Sequence, residues 1–231
     1  MNIGCIVMAA GMSSRFGGNK LAQEWQGKSL ILHALEAVPT DRLSAVVVVT
    51  QYPEVVALAK EFSFTPIVNS HPEYGQSHTI HLGVKALDAC DALLFQVADQ
   101  PLLRRESVAE LIDFYRRNPG HIVGLGHGGQ RGNPCIFPAR FFPELDGAMG
   151  QREGIASKPA PDMVRAALDQ LHAAPEEALY VGDSEVDVAT ARNAGLDMIG
   201  VAWGFRGRAA LEAAGAPLVA DTPEQLLDML Q

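Results

Sequence analysis

Three short strings set charged side chains at the boundary of an apolar run, where they could handle phosphate and a divalent cation. In "LYVGDSEVDVATARNAG", residues 179–195, an apolar stretch ends in an acidic loop that opens a helix. Asp183 and Asp187 stand four residues apart there, so both can face a single cation such as magnesium. A capped helix start with solvated charges has the same appearance. In "MAAGMSSRFGGNK", small residues let the backbone approach a polyphosphate closely, and Arg15 and Lys20 supply positive charge. The string is neither a Walker loop nor GxGxxG, and a plain tight turn shares its composition. In "LFQVADQPLL", Asp99 ends an apolar run, where a carboxylate is costly unless it meets a cation or strong donors, or caps a helix or turn.

The elements that must position these groups alternate along the chain. Apolar, β-rich runs ("IGCIVMA", "AVVVVT", "TPIVN", "ALLFQVA", "HIVGLG") are separated by helical patterns over residues 30–38, 54–62, 79–89 and 107–118. Strands apolar at almost every position belong to a mostly parallel sheet covered by helices on both faces, so the class is doubly wound α/β. After a glycine-rich turn, "GHGGQRGNP", comes a further strand, "CIF". A second alternation follows residue 150. It has helices at 161–171, 186–193, 208–214 and 223–230, and strands at 178–181, 198–201 and 217–219.

The bulk properties narrow the partners. A chain of 231 residues, 48% hydrophobic and 19% charged, can bury one large or two small cores. Its formal charge of −9 is uneven: 12 basic face 14 acidic residues before position 152, and 6 face 13 from there on. Such a surface repels nucleic acid, which excludes a nucleic-acid partner. No apolar stretch reaches the roughly 20 residues of a membrane span, which excludes a membrane role. Cys5, Cys90 and Cys135 match no zinc or CxxC spacing and read as buried thiols of a reducing compartment. "MNIGCIVMAAG" has no basic leader, so the expected location is cytoplasmic.

Taken in order, "AAGMSSRFGGNKL", "NSHPEYGQSHTIHLGVKAL", "ALLFQVADQPLL" and "RGNPCIFPARFFPEL" resemble the molybdenum-cofactor cytidylyltransferases among the MobA-like nucleotidyltransferases, over residues 1–145. The resemblance implies a Rossmann-like α/β/α sandwich with a mostly parallel sheet, which binds a nucleoside triphosphate with Mg2+ and joins the nucleotide to a small phosphorylated acceptor, releasing pyrophosphate. It implies that Ala9, Ala10 and Gly11 lie against the nucleotide, with Ser77 beside it. Arg15 and Lys20 would neutralise the β- and γ-phosphates, and Asp99 would hold the metal. An AAG turn in that family goes with cytidine, so CTP is favoured. The chain departs from the family in "AQEWQGKSL" and in "GQSHTI", which stands where "GMSxSL" is usual; there Gln76, Ser77 and His78 could line the nucleotide or acceptor pocket, although a histidine near a helix start is more often a solvated surface residue.

"GIASKPAPDMV" and "VGDSEVDVATARNAG", continued through the C-terminus, resemble the C-terminal half of haloacid-dehalogenase (HAD) phosphatases of the phosphoglycolate-phosphatase type. The second domain is accordingly expected over residues 146–231. By that likeness Lys158 would steady a phosphoryl group, Asp183 and Asp187 would bind magnesium, and Ser184 belongs to the same remnant site. The DxD string that would supply nucleophile and general acid is absent from the chain, so hydrolysis by this route is not expected. The two likenesses share "FFPEL", residues 141–145, which reads as a fusion joint. The strand at 178–181 then lacks the neighbour that the likeness implies; continuation of the transferase sheet within the chain is the favoured way to cover it, with pairing in a homodimer as the next possibility. Asp221 could imitate a missing acidic position of either family, but reads first as a helix cap before Pro223. Three functions follow: a nucleotidyltransferase, a HAD-type phosphatase, or a silent fusion that binds nucleotide or metal.

Overall fold

The computed structural model describes residues 1–13, 17–127, 130–146, 155–204 and 206–230. The chain divides into two compact units, Met1–Gly150 and Gln151–Gln231.

In the first unit, β1 (Ile3–Ala9) is followed by a two-strand hairpin, β2 (Glu24–Trp25) and β3 (Lys28–Ser29), and by α1 (Leu30–Glu36). Ser29 caps α1 by accepting a hydrogen bond from the Leu32 amide. Next come β4 (Ala45–Thr50), α2 (Pro53–Glu61), β5 (Thr65–Val68), α3 (Gly75–Ala86), β6 (Ala92–Val97) and α4 (Arg105–Arg117). Then β7 (Val123–His127), β8 (Gln130–Pro138) and α5 (Phe142–Asp146) complete the unit. The six-stranded sheet has the order β5-β4-β1-β6-β8-β7. β5, β4, β1 and β6 run parallel, whereas β8 is antiparallel to both β6 and β7.

Although β1 reads as one apolar run, its residues sort by parity onto two cores. Ile3, Cys5, Val7 and Ala9 pack with α1, α2 and α4, and Ile6 packs with α3 and α5. α4 contributes Val108, Leu111, Ile112 and Tyr115 from one face, the 3.6-residue period of an amphipathic helix. Cys5 is fully buried in the middle of the sheet, and burial pushes its thiol up.

Of the boundaries that differ from the sequence expectation, two have a local cause. α3 begins at Gly75, not near residue 79, because "GQSH" continues the helix in spite of its polar composition. The string "GHGGQRGNP" is not all turn: β7 takes in Gly126 and His127, and β8 starts at Gln130 and takes in Gly132.

The second unit has α6 (Asp162–Leu171), β9 (Leu179–Gly182), α7 (Glu185–Ala194), β10 (Asp197–Val201), α8 (Arg208–Ala213), β11 (Leu218–Ala220) and α9 (Pro223–Met229). Its sheet is parallel throughout, in the order β11-β10-β9. Val188, Ala191, Met198, Leu211 and Val219 form its core. β9 is an edge strand, with Leu179 and Val181 exposed. Asp221 is not the cap of α9. Thr222 accepts from the Gln225 amide in that role, and Asp221 instead accepts two bonds from the Arg208 guanidinium at 2.8 Å. No helix among the described residues is long and apolar enough to cross a membrane.

α3 reaches the sheet at Gly83, where an added Cβ would stand 2.6 Å from Ile6 Cγ2. Alanine has the better helix propensity by about 1 kcal/mol, but overpacking a rigid β-branched neighbour costs about 1–3 kcal/mol. Gly83→Ala should therefore lower stability by about 1 kcal/mol, read as a fall in the urea midpoint with an unchanged slope.

Candidate functional site

The chain passes from β1 outward to β4 and β5 on one side and returns to β6 on the other, so the strand order reverses between β1 and β6. Crevices of doubly wound sheets lie over such a reversal, at the carboxyl ends of the strands. Here Met8 is level with Val97 and Ala9 with Thr50. A cleft of about 270 Å3 opens above them, bounded by Ala9, Ala10, Gly11, Lys20 and Asp99, with Gln76 and Thr79 of α3.

Lys20 Nζ lies 3.1 Å from Asp99 Oδ2, with the two side chains 44% and 46% exposed. A pair so open to solvent contributes at most about 1 kcal/mol, and a ligand carrying matching charge can draw either partner away. The backbone of Lys20 is nevertheless fixed. It opens a short 3-10 turn, Lys20–Ala22, in which the Asn19 side chain accepts from the Leu21 amide at 3.0 Å and Leu21 is buried. Asn19 in turn donates to Glu54 Oε1 at 2.7 Å.

Behind the loop, the end of β4 supplies a second layer. Thr50 Oγ1 donates to the Ala9 carbonyl at 3.1 Å, Gln51 Nε2 to the Ala10 carbonyl at 2.9 Å, and Tyr52 Oη to the Gly11 carbonyl at 2.8 Å. The Thr50 hydroxyl also accepts from the Tyr52 amide at 3.1 Å. Buried Asn69 continues the layer, donating from its amide N–H to the Thr50 carbonyl at 2.7 Å and from Nδ2 to Thr79 Oγ1 at 3.3 Å.

Of the residues singled out in the first unit, Ala9, Ala10, Gly11, Lys20 and Asp99 come together at this cleft. Arg15 lies outside the described residues. The Ser77 hydroxyl turns back to the Tyr74 carbonyl at 3.4 Å, and α3 faces the cleft through Gly75, Gln76 and Thr79. Thr50, Gln51 and Tyr52 escaped the reading of the sequence. Their only signal is three residues with polar groups closing the apolar run "AVVVV".

In the second unit, Asp187 is the hub of its loop. Its Oδ1 accepts from Lys158 Nζ at 2.7 Å and from Tyr180 Oη at 3.0 Å. Its Oδ2 accepts from Ser184 Oγ at 2.6 Å and from the Asp183 amide at 3.3 Å. Asp187 folds back over β9 so closely that a Cβ on Gly182 would meet its Cβ at 2.4 Å, and a Cβ on Gly204 would meet the Cβ of Asp183 at 2.2 Å. Both positions require glycine. Burial alone raises the Asp187 carboxyl, but the bonds from Lys158, Ser184 and Tyr180 outweigh it and hold the group at about 2. Lys158, Asp183, Ser184 and Asp187 are thus gathered, and Tyr180 is a member that sequence reasoning missed. No group of three or more His, Cys, Asp or Glu side chains able to hold a metal ion occurs among the described residues.

Residues 5–163 match the model of the MobA-like NTP transferase domain, and residues 155–229 match a HAD-hydrolase-like model. Among curated proteins, pyrophosphatase PpaX of Bacillus mycoides (strain KBAB4) is 42% identical over 73 residues, which cover 32% of this chain and 34% of that protein. The chain spans about a third of the length of the curated relatives it matches. Among solved structures, Rv0371c from Mycobacterium tuberculosis H37Rv superimposes with a TM-score of 0.55 at 16% identity, covering 65% of this chain and 78% of that one. The complex of Rv0371C with manganese gives a TM-score of 0.52 at 15% identity, with the same 65% and 78% coverage. A cytidylyltransferase from Leptospira borgpetersenii serovar Hardjo-bovis (strain JB197) gives 0.51 at 20% identity, covering 65% of this chain and 66% of that one. These likenesses show a Rossmann-like nucleotidyltransferase fold.

The lowered carboxyl of Asp187 sets the sign of a pH effect. An unfolded Asp titrates near 3.9, so the stabilisation is complete above about pH 4 and is lost as the pH falls toward 2. Across that window the second unit should lose about 2 kcal/mol more in the parent than in Asp187→Asn. The measurement is urea unfolding followed by Trp203 fluorescence in a Trp25→Phe background. Equal pH slopes in the two proteins would contradict the assignment.

Proposed function

We propose, from the premise that this chain belongs to the MobA-like NTP transferase domain family, that its first unit transfers a nucleotidyl group from a nucleoside triphosphate to a small phosphorylated acceptor and releases pyrophosphate. CTP is the favoured donor and a molybdopterin-type phosphate the favoured acceptor. Residues 1–145 form the transferase domain and residues 146–231 a HAD-like half-domain.

The observation that carries this reading is the Lys20–Asp99 pair, held across the cleft from the backbone of Ala9, Ala10 and Gly11. A nucleoside triphosphate presents several negative charges and a planar base, and the cleft offers an ammonium group beside a closely approachable backbone. Displacement at the α-phosphorus needs alignment and charge neutralisation more than a covalent nucleophile. Lys20, with Arg15, neutralises the β- and γ-phosphates. Ala9, Ala10 and Gly11 seat the nucleotide, and from α3 Gln76 takes the place beside it that was expected of Ser77, whose hydroxyl is turned to the Tyr74 carbonyl.

Asp99 would hold a divalent cation, Mg2+. The donor set fits, because magnesium is commonly held by one or two carboxylates together with substrate phosphates and does not need a cage of protein ligands. When bound, such an ion supplies neutralisation of charge on the phosphates. The manganese complex of the structural neighbour Rv0371C supports a divalent ion in this fold. The AAG turn and the neighbour named as a cytidylyltransferase support CTP.

A HAD-type phosphatase is the second reading. It rests on Lys158, Asp183 and Asp187 and is weakened by the four hydrogen bonds that occupy Asp187 and by the absence of DxD. The half-domain is better explained as hydrolytically silent.

Calorimetric titration of the full chain with CTP and GTP, each with magnesium, tests the transferase reading. CTP should bind tighter than about 1 mM, and Lys20→Ala and Asp99→Ala should each weaken it about tenfold or more. Failure of both nucleotides to bind the parent tighter than about 1 mM overturns it. Turnover of a generic phosphate ester that disappears in Asp183→Ala and survives Asp99→Ala would transfer the function to the second unit.

A further inference from the structure

We propose that Thr50, Gln51 and Tyr52 are positioning residues for nucleobase selection, acting by holding the carbonyls of residues 9–11 away from the cleft. The inference rests on the reading of the first unit as a CTP site and names what makes that site selective.

Three consecutive side chains at the end of β4 donate to three consecutive carbonyls, each 41 residues earlier in the chain. Successive carbonyls of a regular strand point alternately to opposite sides, so one flank cannot collect three in a row from a strand. Ala9 is the last residue of β1, and beyond it Ala10 and Gly11 have therefore left the alternation of the strand. Because a trans peptide is planar, its C=O and N–H point in opposite directions. With the Ala9, Ala10 and Gly11 carbonyls directed at β4, the amides of Ala10, Gly11 and Met12 are directed away from it. β1 lies between β4 and β6, so the side away from β4 is the side of β6 and Asp99. The loop thus presents a row of donors to the cleft and keeps its acceptors behind it.

A row of donors selects a base that offers acceptors. Cytosine carries acceptors at N3 and O2, whereas uracil carries a hydrogen at N3 that would meet an amide hydrogen. If a carbonyl lost its partner in β4, that peptide could rotate and present an acceptor to the cleft, which would admit uracil. The three bonds are built to prevent this rotation. Thr50 is fully buried, its hydroxyl also receives the Tyr52 amide, and its carbonyl is held by Asn69. The Tyr52 ring packs against the core, which fixes the position of its hydroxyl.

The test is calorimetry of the full chain with CTP and UTP at fixed magnesium, for the parent, Gln51→Met and Tyr52→Phe, with thermal melting of each as the control for folding. The parent should favour CTP about tenfold or more. Each variant should lower the CTP to UTP affinity ratio at least about threefold, the size expected for one hydrogen bond. The affinity for inorganic triphosphate, which has no base, should stay unchanged. A loss of structure alone would lower all three affinities together and leave the ratio intact. Should Gln51→Met fail to fold, Tyr52→Phe, which removes one hydroxyl, carries the test. The clamp is overturned if the parent binds CTP and UTP equally, or if folded variants keep the parental ratio. A parent that binds neither nucleotide overturns the transferase reading and the clamp with it.

Discussion

Parallel pairing of β1 with β4 on one side and β6 on the other is the constraint from which the chemistry of the first unit follows. Once Ala9 is level with Thr50 and Met8 with Val97, a small-residue turn, a lysine eleven residues further on and an aspartate from a strand far along the chain arrive at one edge of one sheet. The pairing holds because both faces of β1 are buried. A slip of one residue would exchange the two cores and drive Ile6 into the space occupied by α1 and α4.

Much of this was legible in the residues, for identifiable reasons. Strands apolar on both faces leave near-continuous runs such as "AVVVVT", and the motifs at their ends were therefore placed correctly at the carboxyl edge. What remained illegible depends on partners distant in sequence. Tyr52 is an ordinary loop tyrosine until the register of β4 against β1 brings it under Gly11, and Tyr180 is an ordinary strand residue until Asp187 folds back to it. Local chemistry also misled in one place: Asp221 and Thr222 are both good caps, and the choice was made by Arg208, which holds the aspartate elsewhere. The start of α3 failed for a related reason, since "GQSH" has no apolar period and its helicity comes from the packing of the turns that follow.

Two lysine–aspartate pairs among the described residues differ in what surrounds them. Lys20 and Asp99 are each nearly half exposed and hold each other by a contact that solvent largely screens, as suits groups with other partners to meet. Lys158 and Asp187 are tied into a set with Ser184, Tyr180 and a backbone amide, and Asp187 is almost wholly withdrawn from water. Taking one partner from such a set leaves a desolvated charge behind, so the second pair behaves as a fixed joint of its unit. The same two residue types thus give a poised contact in one unit and a rigid one in the other.

The position of Cys5 carries a practical consequence. Its sulfur lies at zero exposure in the middle strand, with burial acting against ionisation, and thiol reactions need the ionised form. Oxidants and alkylating reagents have no route to it while the six strands remain together. An adduct on that sulfur would record a moment when the sheet had opened, which makes it an internal clock for breathing of the first unit.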